Sequence, residues 1–277
     1  MSEIIFTKIT GAGNDFVLID KDKNPNLVLN SELIKAICDR RYGIGADGVL
    51  TISDCENYDF EMEYFNSDGS DGMLCGNGAR SIIKYANFSG RLKSEKTEFL
   101  FQNQSFSGEV LEKDEIKFNL NTPTKLKLNY EIEILNQKFN VSFIDTGAYH
   151  VVIDVDEKGN DLSLLNLFPV EQFGKEIRYS NYYKPLGTNV NFISIKNGII
   201  NIRTYERGVE EETLACGTGS VASAIISYLN GKVVPPVKLV TKSEEILTVD
   251  FEYENEKFSN ISLTGPAKIV FEGKYKT

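Results

Sequence analysis

The chain has no tryptophan, one histidine, three methionines and four cysteines in 277 residues. A lone imidazole, His150, excludes most zinc sites built on several histidines. It also argues against a serine hydrolase, and no G-x-S-x-G turn is present. The cysteines Cys38, Cys55, Cys75 and Cys216 form no C-x-x-C pair and are too few for a disulfide framework. Basic residues are in deficit, 30 against 40 acidic, for a net charge of −10. That balance repels phosphate backbones and anionic lipid surfaces, so no nucleic-acid or membrane partner is expected. No window of about 18 residues is apolar enough to span a bilayer. Residues 1–6 carry no basic region followed by a long apolar run, so no secretory leader is expected and the cytoplasm is the default. No P-loop occurs. Gly43-Ile44-Gly45-Ala46-Asp47-Gly48 satisfies G-x-G-x-x-G, but it follows a helical segment and precedes a strand. That order reverses the dinucleotide fingerprint.

What remains reads as a globular protein, 41% hydrophobic and 25% charged, long enough for two domains. Alternating or β-branched segments predict strands over 4–9, 16–19, 49–52, 60–65, 98–102, 116–120 and 139–144. Further strands are predicted over 151–155, 191–195, 199–205, 238–241, 247–251, 261–263 and 269–271. Short Gly, Asn or Asp connections favour antiparallel pairing. Helices are predicted over 32–41, capped by Ser31, and over 79–88 and 220–229. A segment over 162–173 must break at Pro169. Asn121-Thr122-Pro123 is the best mid-chain boundary.

An internal repeat organises these elements. Thr10-Gly11-Ala12 precedes Val17-Leu18-Ile19-Asp20, and Thr146-Gly147-Ala148 precedes Val151-Val152-Ile153-Asp154. Each copy continues through a helix, two strands and a polar loop to a cysteine turn. The turns are Cys75-Gly76-Asn77-Gly78 and Cys216-Gly217-Thr218-Gly219. A cysteine just before a helix lies at the positive end of the helix dipole, which lowers its thiol pKa. The glycines let a ligand approach the backbone, whose N–H groups can hold a carboxylate. Two such turns suit racemisation by two bases. One thiolate removes a proton from a carbon next to a carboxylate, and the other thiol protonates the opposite face. Cys38 and Cys55 lack glycine context and read as structural.

The residues also carry a resemblance. Leu74-Cys75-Gly76-Asn77-Gly78-Ala79-Arg80 and Ala215-Cys216-Gly217-Thr218-Gly219 resemble the paired motifs of the diaminopimelate epimerase family. Gly11-Ala12-Gly13-Asn14-Asp15-Phe16, Gly43 to Gly48 and Phe65-Asn66-Ser67-Asp68-Gly69 resemble its other signatures. So do Thr188-Asn189-Val190-Asn191-Phe192 and Tyr205-Glu206-Arg207-Gly208, in the family's order and over nearly the whole chain. The resemblance implies an isomerase, independent of pyridoxal phosphate or any other cofactor or metal, that interconverts LL- and meso-2,6-diaminopimelate. It implies an α/β (α+β) fold of two pseudo-symmetric domains, residues 1–121 with 265–277 and residues 122–264. Each would be a curved, mostly antiparallel sheet around a central helix, with the active site in the cleft between them and the last strand returning to the first domain. It implies Cys75 and Cys216 as the bases, with His150 and Glu206 tuning them. A protonated His150 would favour a thiolate, and Glu206 would oppose it. Gly76, Asn77, Gly217 and Thr218 would bind the carboxylate of the reacting centre. Asn14, Asn66, Asn189, Glu206 and Arg207 would hold the rest of a small amino-acid substrate, and a homodimer is implied as a partner state. Three features depart from the pattern, one being a loop from Glu206 to Cys216 that is one residue longer than in many members. The family often has Gln at Gly48 and Asn-Pro or Ser-Pro at Ala148-Tyr149. The alternatives are a sibling racemase of proline, hydroxyproline or histidine type and a non-catalytic amino-acid-binding protein. Asn77, where proline-type members usually carry His, favours diaminopimelate.

Overall fold

The computed structural model describes residues 3–156 and 161–277. Met1 and Ser2, part of the leader argument, lie outside the described residues. The fold is a mixed α+β fold, and the chain divides into two compact units, residues 1–119 with 265–277 and residues 120–264.

The first unit holds β1 (Glu3–Gly11), β2 (Asn14–Asp20), α1 (Ser31–Cys38), β3 (Gly48–Cys55), β4 (Tyr58–Asn66) and α2 (Gly76–Phe88). It continues through β5 (Lys96–Phe101), β6 (Gln104–Val110) and β7 (Glu115–Asn119). The C-terminal strand Lys268–Lys276 pairs antiparallel with β1, so the end of the chain belongs to this unit. β1–β2, β3–β4, β5–β6 and β6–β7 are antiparallel. β2–β3 and β4–β5 are parallel. Short connections favour antiparallel pairs; the parallel ones arise where a helix crosses over, α1 in the first case and α2 in the second. The sheet curls around α2, which touches β1, β2, β3, β4, β6 and β7. Ten of its residues, from Gly76 to Ala86, are buried. On the other face, α1 sets Ile34 and Ile37 against Ile4, Val17, Ile19 and Val49.

The second unit holds β8 (Thr124–Ile134), β9 (Gln137–Asp145), β10 (Tyr149–Asp154), α3 (Leu162–Asn166), α4 (Val170–Tyr179) and β11 (Asn189–Lys196). β12 (Ile199–Glu206), β13 (Glu211–Thr213), α5 (Gly217–Leu229), β14 (Val237–Val240), β15 (Ile246–Glu254) and β16 (Lys257–Pro266) follow. β8–β9, β9–β10, β11–β12, β14–β15 and β15–β16 are antiparallel. β10–β11 and β12–β14 are parallel. α5, rich in Ala, Ser and Ile, is buried from Gly217 to Ser227 and packs on β9, β10, β11, β12, β14 and β15. α3 and α4 cover the other face through Leu165, Val170, Phe173 and Ile177.

Four differences from the sequence reading have physical causes. α1 is capped by Asn30, whose side chain accepts from Leu33 N–H, not by Ser31. It stops at Cys38 because Asp39 accepts from the N–H groups of Arg41 and Tyr42 and turns the chain. α2 and α5 each begin three residues earlier than predicted, at the glycine after the cysteine, so Cys75 and Cys216 are themselves the N-caps. β6, β8 and β13 are unforeseen strands. β8 is polar and largely exposed, β6 is polar with only Phe106 and Gly108 buried, and each follows or precedes a tight turn of two residues with positive φ, Gln102-Asn103 and Leu135-Asn136. The break at Pro169 stands as read, between α3 and α4.

Gly174, on the buried face of α4, has no room for a side chain. An added Cβ would lie 2.3 Å from Tyr205 Cβ. Gly174→Ala should lower stability by about 1–3 kcal/mol through overpacking, against the gain of up to about 1 kcal/mol that helix propensity alone gives. A urea denaturation midpoint equal to or above wild type would contradict this packing.

Candidate active site

In the first unit, Cys75 adopts extended backbone geometry just before α2, and its Sγ accepts from Gly78 N–H at 3.5 Å. The thiol also lies 3.8 Å from Asn14 Oδ1. Asn14 opens β2, immediately after the β1–β2 turn, and its Nδ2 donates to Asp47 Oδ2 at 2.5 Å. That bond turns the amide oxygen toward the sulfur. Asp47 is held in turn by Arg40, which bridges it to Asp15, and Lys8 pairs with Asp15 at 2.6 Å. Burial raises the Asp47 carboxyl, and the neighbouring Asp15 charge adds to the effect. Burial also pushes Asp15 up, but bonds from Arg40 and Lys8 outweigh it and hold Asp15 down to about 2.

The start of α2 is closely covered. A Cβ on Gly11 would lie 2.8 Å from Asn77 O, so only glycine lets the Thr10-Gly11-Ala12 turn rest there. Asn77 is buried, its Oδ1 accepting from Arg80 Nη2 at 2.8 Å. Arg80 is fully buried and donates from Nη1 to Gly76 O at 3.1 Å. Asn66 closes β4, paired with Gly48, and its Nδ2 donates to Ser70 Oγ and Asp71 O. Gly48 carries no spare volume: a Cβ would meet Phe65 O at 2.5 Å and the Tyr64 ring at 2.6 Å. The Tyr64 ring therefore fills the space beside Gly48.

In the second unit, Cys216 caps α5 and is buried. Its Sγ lies 3.7 Å from Thr218 Oγ1, which is 3.0 Å from His150 Nε2. Thr146 Oγ1 donates to Thr218 O at 3.1 Å, tying the Thr146-Gly147-Ala148 turn to the helix start. Asn189 is tied to the scaffold. Its Nδ2 donates to Tyr149 O at 2.9 Å and its Oδ1 accepts from Arg207 N–H at 2.8 Å. Glu206, the last residue of β12, accepts from Thr213 Oγ1 at 2.9 Å. Arg207 follows it, half-buried, with Nη1 donating to Leu186 O at 3.3 Å. Burial lowers its guanidinium pKa, and Arg178 nearby lowers it further.

His150 does not carry the charge that the sequence reading allowed for. It is fully buried, and desolvation, aided by the Arg207 charge, drives its pKa down to about 3. The imidazole is therefore neutral at neutral pH, and any effect on Cys216 comes from hydrogen bonding. Elsewhere, burial pushes the Cys38 thiol up to about 11, in keeping with a structural role. Asp47, Arg40, Thr213 and Asn191 take part in these networks but carry no motif role in the sequence reading. Only the position of Asp47 and Asn191 inside quoted signatures could have flagged them. Among the described residues, no group of three or more His, Cys, Asp or Glu is placed to hold a metal ion. No described helix is long and apolar enough to cross a membrane.

The model of the diaminopimelate epimerase family matches residues 6–126 and 142–270. The chain belongs to that family. A diaminopimelate epimerase of Aquifex aeolicus is 38% identical over 97% of this chain and 96% of its own length. One from Flavobacterium psychrophilum is 38% identical over 96% of this chain and 97% of its own. In fold, this family member is similar to a phenazine biosynthesis protein of Bacillus anthracis, with a TM-score of 0.74, 16% identity and full coverage of both chains. A hydroxyproline epimerase of Agrobacterium vitis has a TM-score of 0.72 at 12% identity, covering 98% of this chain and 92% of that one.

The neutral His150 sets a pH dependence. Its folded pKa lies far below the ordinary value of about 6.5, so the unfolded chain binds the extra proton first. Stability from this group is complete above about pH 6.5 and is lost as pH falls toward 3, at up to about 1.4 kcal/mol per pH unit. Denaturant melts between pH 7 and pH 5 should show that slope, and His150→Gln should flatten it. An equal slope in both proteins would contradict the burial of a neutral imidazole.

Proposed function

We propose that the chain interconverts LL- and meso-2,6-diaminopimelate, a step in making lysine and peptidoglycan precursors, by proton transfer between two thiols. The observation that carries this reading is that Cys75 and Cys216 each cap the buried central helix of their unit. In the proposed reaction one cysteine, as thiolate, takes the hydrogen from the α-carbon while the other, as thiol, protonates the opposite face. The N–H groups around Gly76-Asn77 and Gly217-Thr218 receive the carboxylate of the reacting centre, where they also stabilise the developing carbanion.

Asn14, Asn66, Glu206 and Arg207 bind the remainder of the substrate. Arg207 offers a guanidinium for a carboxylate and Glu206 an acceptor for an ammonium. Asn189, with both ends of its amide engaged by the scaffold, serves by holding Arg207 in place. His150 and Glu206 tune the thiols, His150 as a neutral group. The reading includes a duplicated, pseudo-symmetric pair of domains, 1–121 with 265–277 and 122–264, with the site in the cleft between them. It is supported by the same order of turn, strand, crossover helix and cysteine-capped helix in each half. A cytoplasmic homodimer without cofactor completes it.

Each direction needs both groups, so Cys75→Ser and Cys216→Ser should each lose about a hundredfold or more in kcat. The assay is chromatographic separation of the LL and meso isomers, with proline, hydroxyproline and histidine as comparison substrates. Either variant turning over within a few-fold of wild type would remove the two-thiol mechanism. Preferential turnover of another amino acid would move the chain to a sibling activity.

A further inference from the structure

Behind Cys216 lies a chain of buried polar groups whose donor and acceptor order can be read from one fixed point. A backbone carbonyl only accepts, so the 2.9 Å contact between Asn191 Nδ2 and Val151 O identifies the nitrogen end of that amide. Thr204 Oγ1, 3.0 Å from Asn191 Oδ1, donates to the other end and agrees. Asn191 Nδ2 also lies 3.2 Å from His150 Nδ1. An amide nitrogen offers only hydrogens, so it donates and Nδ1 is bare. A neutral imidazole keeps one N–H, which must then sit on Nε2 and point at Thr218 Oγ1, 3.0 Å away. A hydroxyl that accepts from the ring has its own proton left for a further acceptor, and Cys216 Sγ is 3.7 Å distant. Asn191, His150, Thr204 and Thr218 are all buried, so water does not compete. Gly219 admits the arrangement: a Cβ there would lie 2.3 Å from Asn191 Oδ1.

We infer that Asn191 and Thr218 are positioning residues for Cys216. Asn191 fixes the Nε2–H tautomer of His150, and that tautomer turns the Thr218 hydroxyl proton onto the sulfur, where it stabilises the thiolate. The inference rests on the reading of Cys216 as one of the two bases. It assigns the side chain of Thr218 a task separate from any main-chain contact with substrate.

The chain has a single histidine, so full-length protein labelled with 15N in histidine gives one pair of ring signals. At pH 7 the expected pattern is a bare Nδ1 and a protonated Nε2. Asn191→Asp, which puts an acceptor where the donor was, should place a proton on Nδ1. A protonated Nδ1 in the wild type, or a bare Nδ1 in Asn191→Asp, overturns the role of Asn191 regardless of activity. Thr218→Val keeps the shape and removes the hydroxyl. Its kcat should fall about tenfold or more, with KM within about twofold of wild type, as loss of a hydrogen bond to a charged group implies. Thr218→Ser should return kcat to within about threefold. A change in KM alone, or a serine variant no better than valine, overturns the link to sulfur. Wild-type protein without epimerase activity defeats the proposed function instead, and the ring spectrum still decides the tautomer.

Discussion

The first turn of a helix has N–H groups with no acceptor in the helix itself, and in both units that turn is buried. The rest of the site is organised by this constraint. The glycines at Gly76, Gly78, Gly217 and Gly219 keep the turn thin. Gly11 in the first unit and Thr146 in the second bring a second turn against it. A cysteine stands at the N-cap, the position that normally carries Ser, Asp or Asn, so the sulfur lies where the helix field favours a negative charge. The curved sheets make the burial possible, because one helix can touch nearly every strand around it only if the sheet wraps it. Function and packing thus draw on the same feature.

The two thiols have different surroundings. Cys75 is partly exposed and faces a backbone N–H and an asparagine held by a charged group, Asp47 with Arg40, Asp15 and Lys8. Cys216 is buried and backed by uncharged groups, Thr218, a neutral His150 and Asn191. A thiolate near Cys75 is accommodated among fixed charges, whereas one at Cys216 depends on oriented dipoles in a dry setting, where each bond is electrostatically stronger. In the proposed two-base reaction each thiol is the base in one direction and the acid in the other, and the relay proposed behind Cys216 would serve its thiolate through hydrogen bonds from uncharged groups.

Much of this was legible in the sequence because the turn residues are chemically restrictive. Glycine beside cysteine before a small-residue helix, repeated in order, leaves few other readings. The starts of the two central helices were read three residues late because Gly-Asn-Gly and Gly-Thr-Gly have poor helix propensity, which burial against the sheet overrides. β8 was missed because its edge position exposes most of its side chains and blurs the alternation, and β6 because Ser105, Ser107 and Gly108 interrupt the apolar pattern. The protonation state of His150 was not legible because it depends on burial, and nothing adjacent in sequence reports that. Asn191 drew no role because its partners, Val151, His150 and Thr204, meet it only through the β10–β11 and β11–β12 pairings.

In the proposed reaction two different groups handle the two protons. The most direct measurement is the first portion of turnover of LL-diaminopimelate in deuterium oxide. The meso product should carry deuterium at the inverted carbon while recovered LL substrate keeps its hydrogen. A thiol that donates to the new face carries a solvent deuteron, and the thiolate on the old face holds the abstracted proton. Early meso product that retains the substrate hydrogen would mean that one group serves both faces, and would contradict the account.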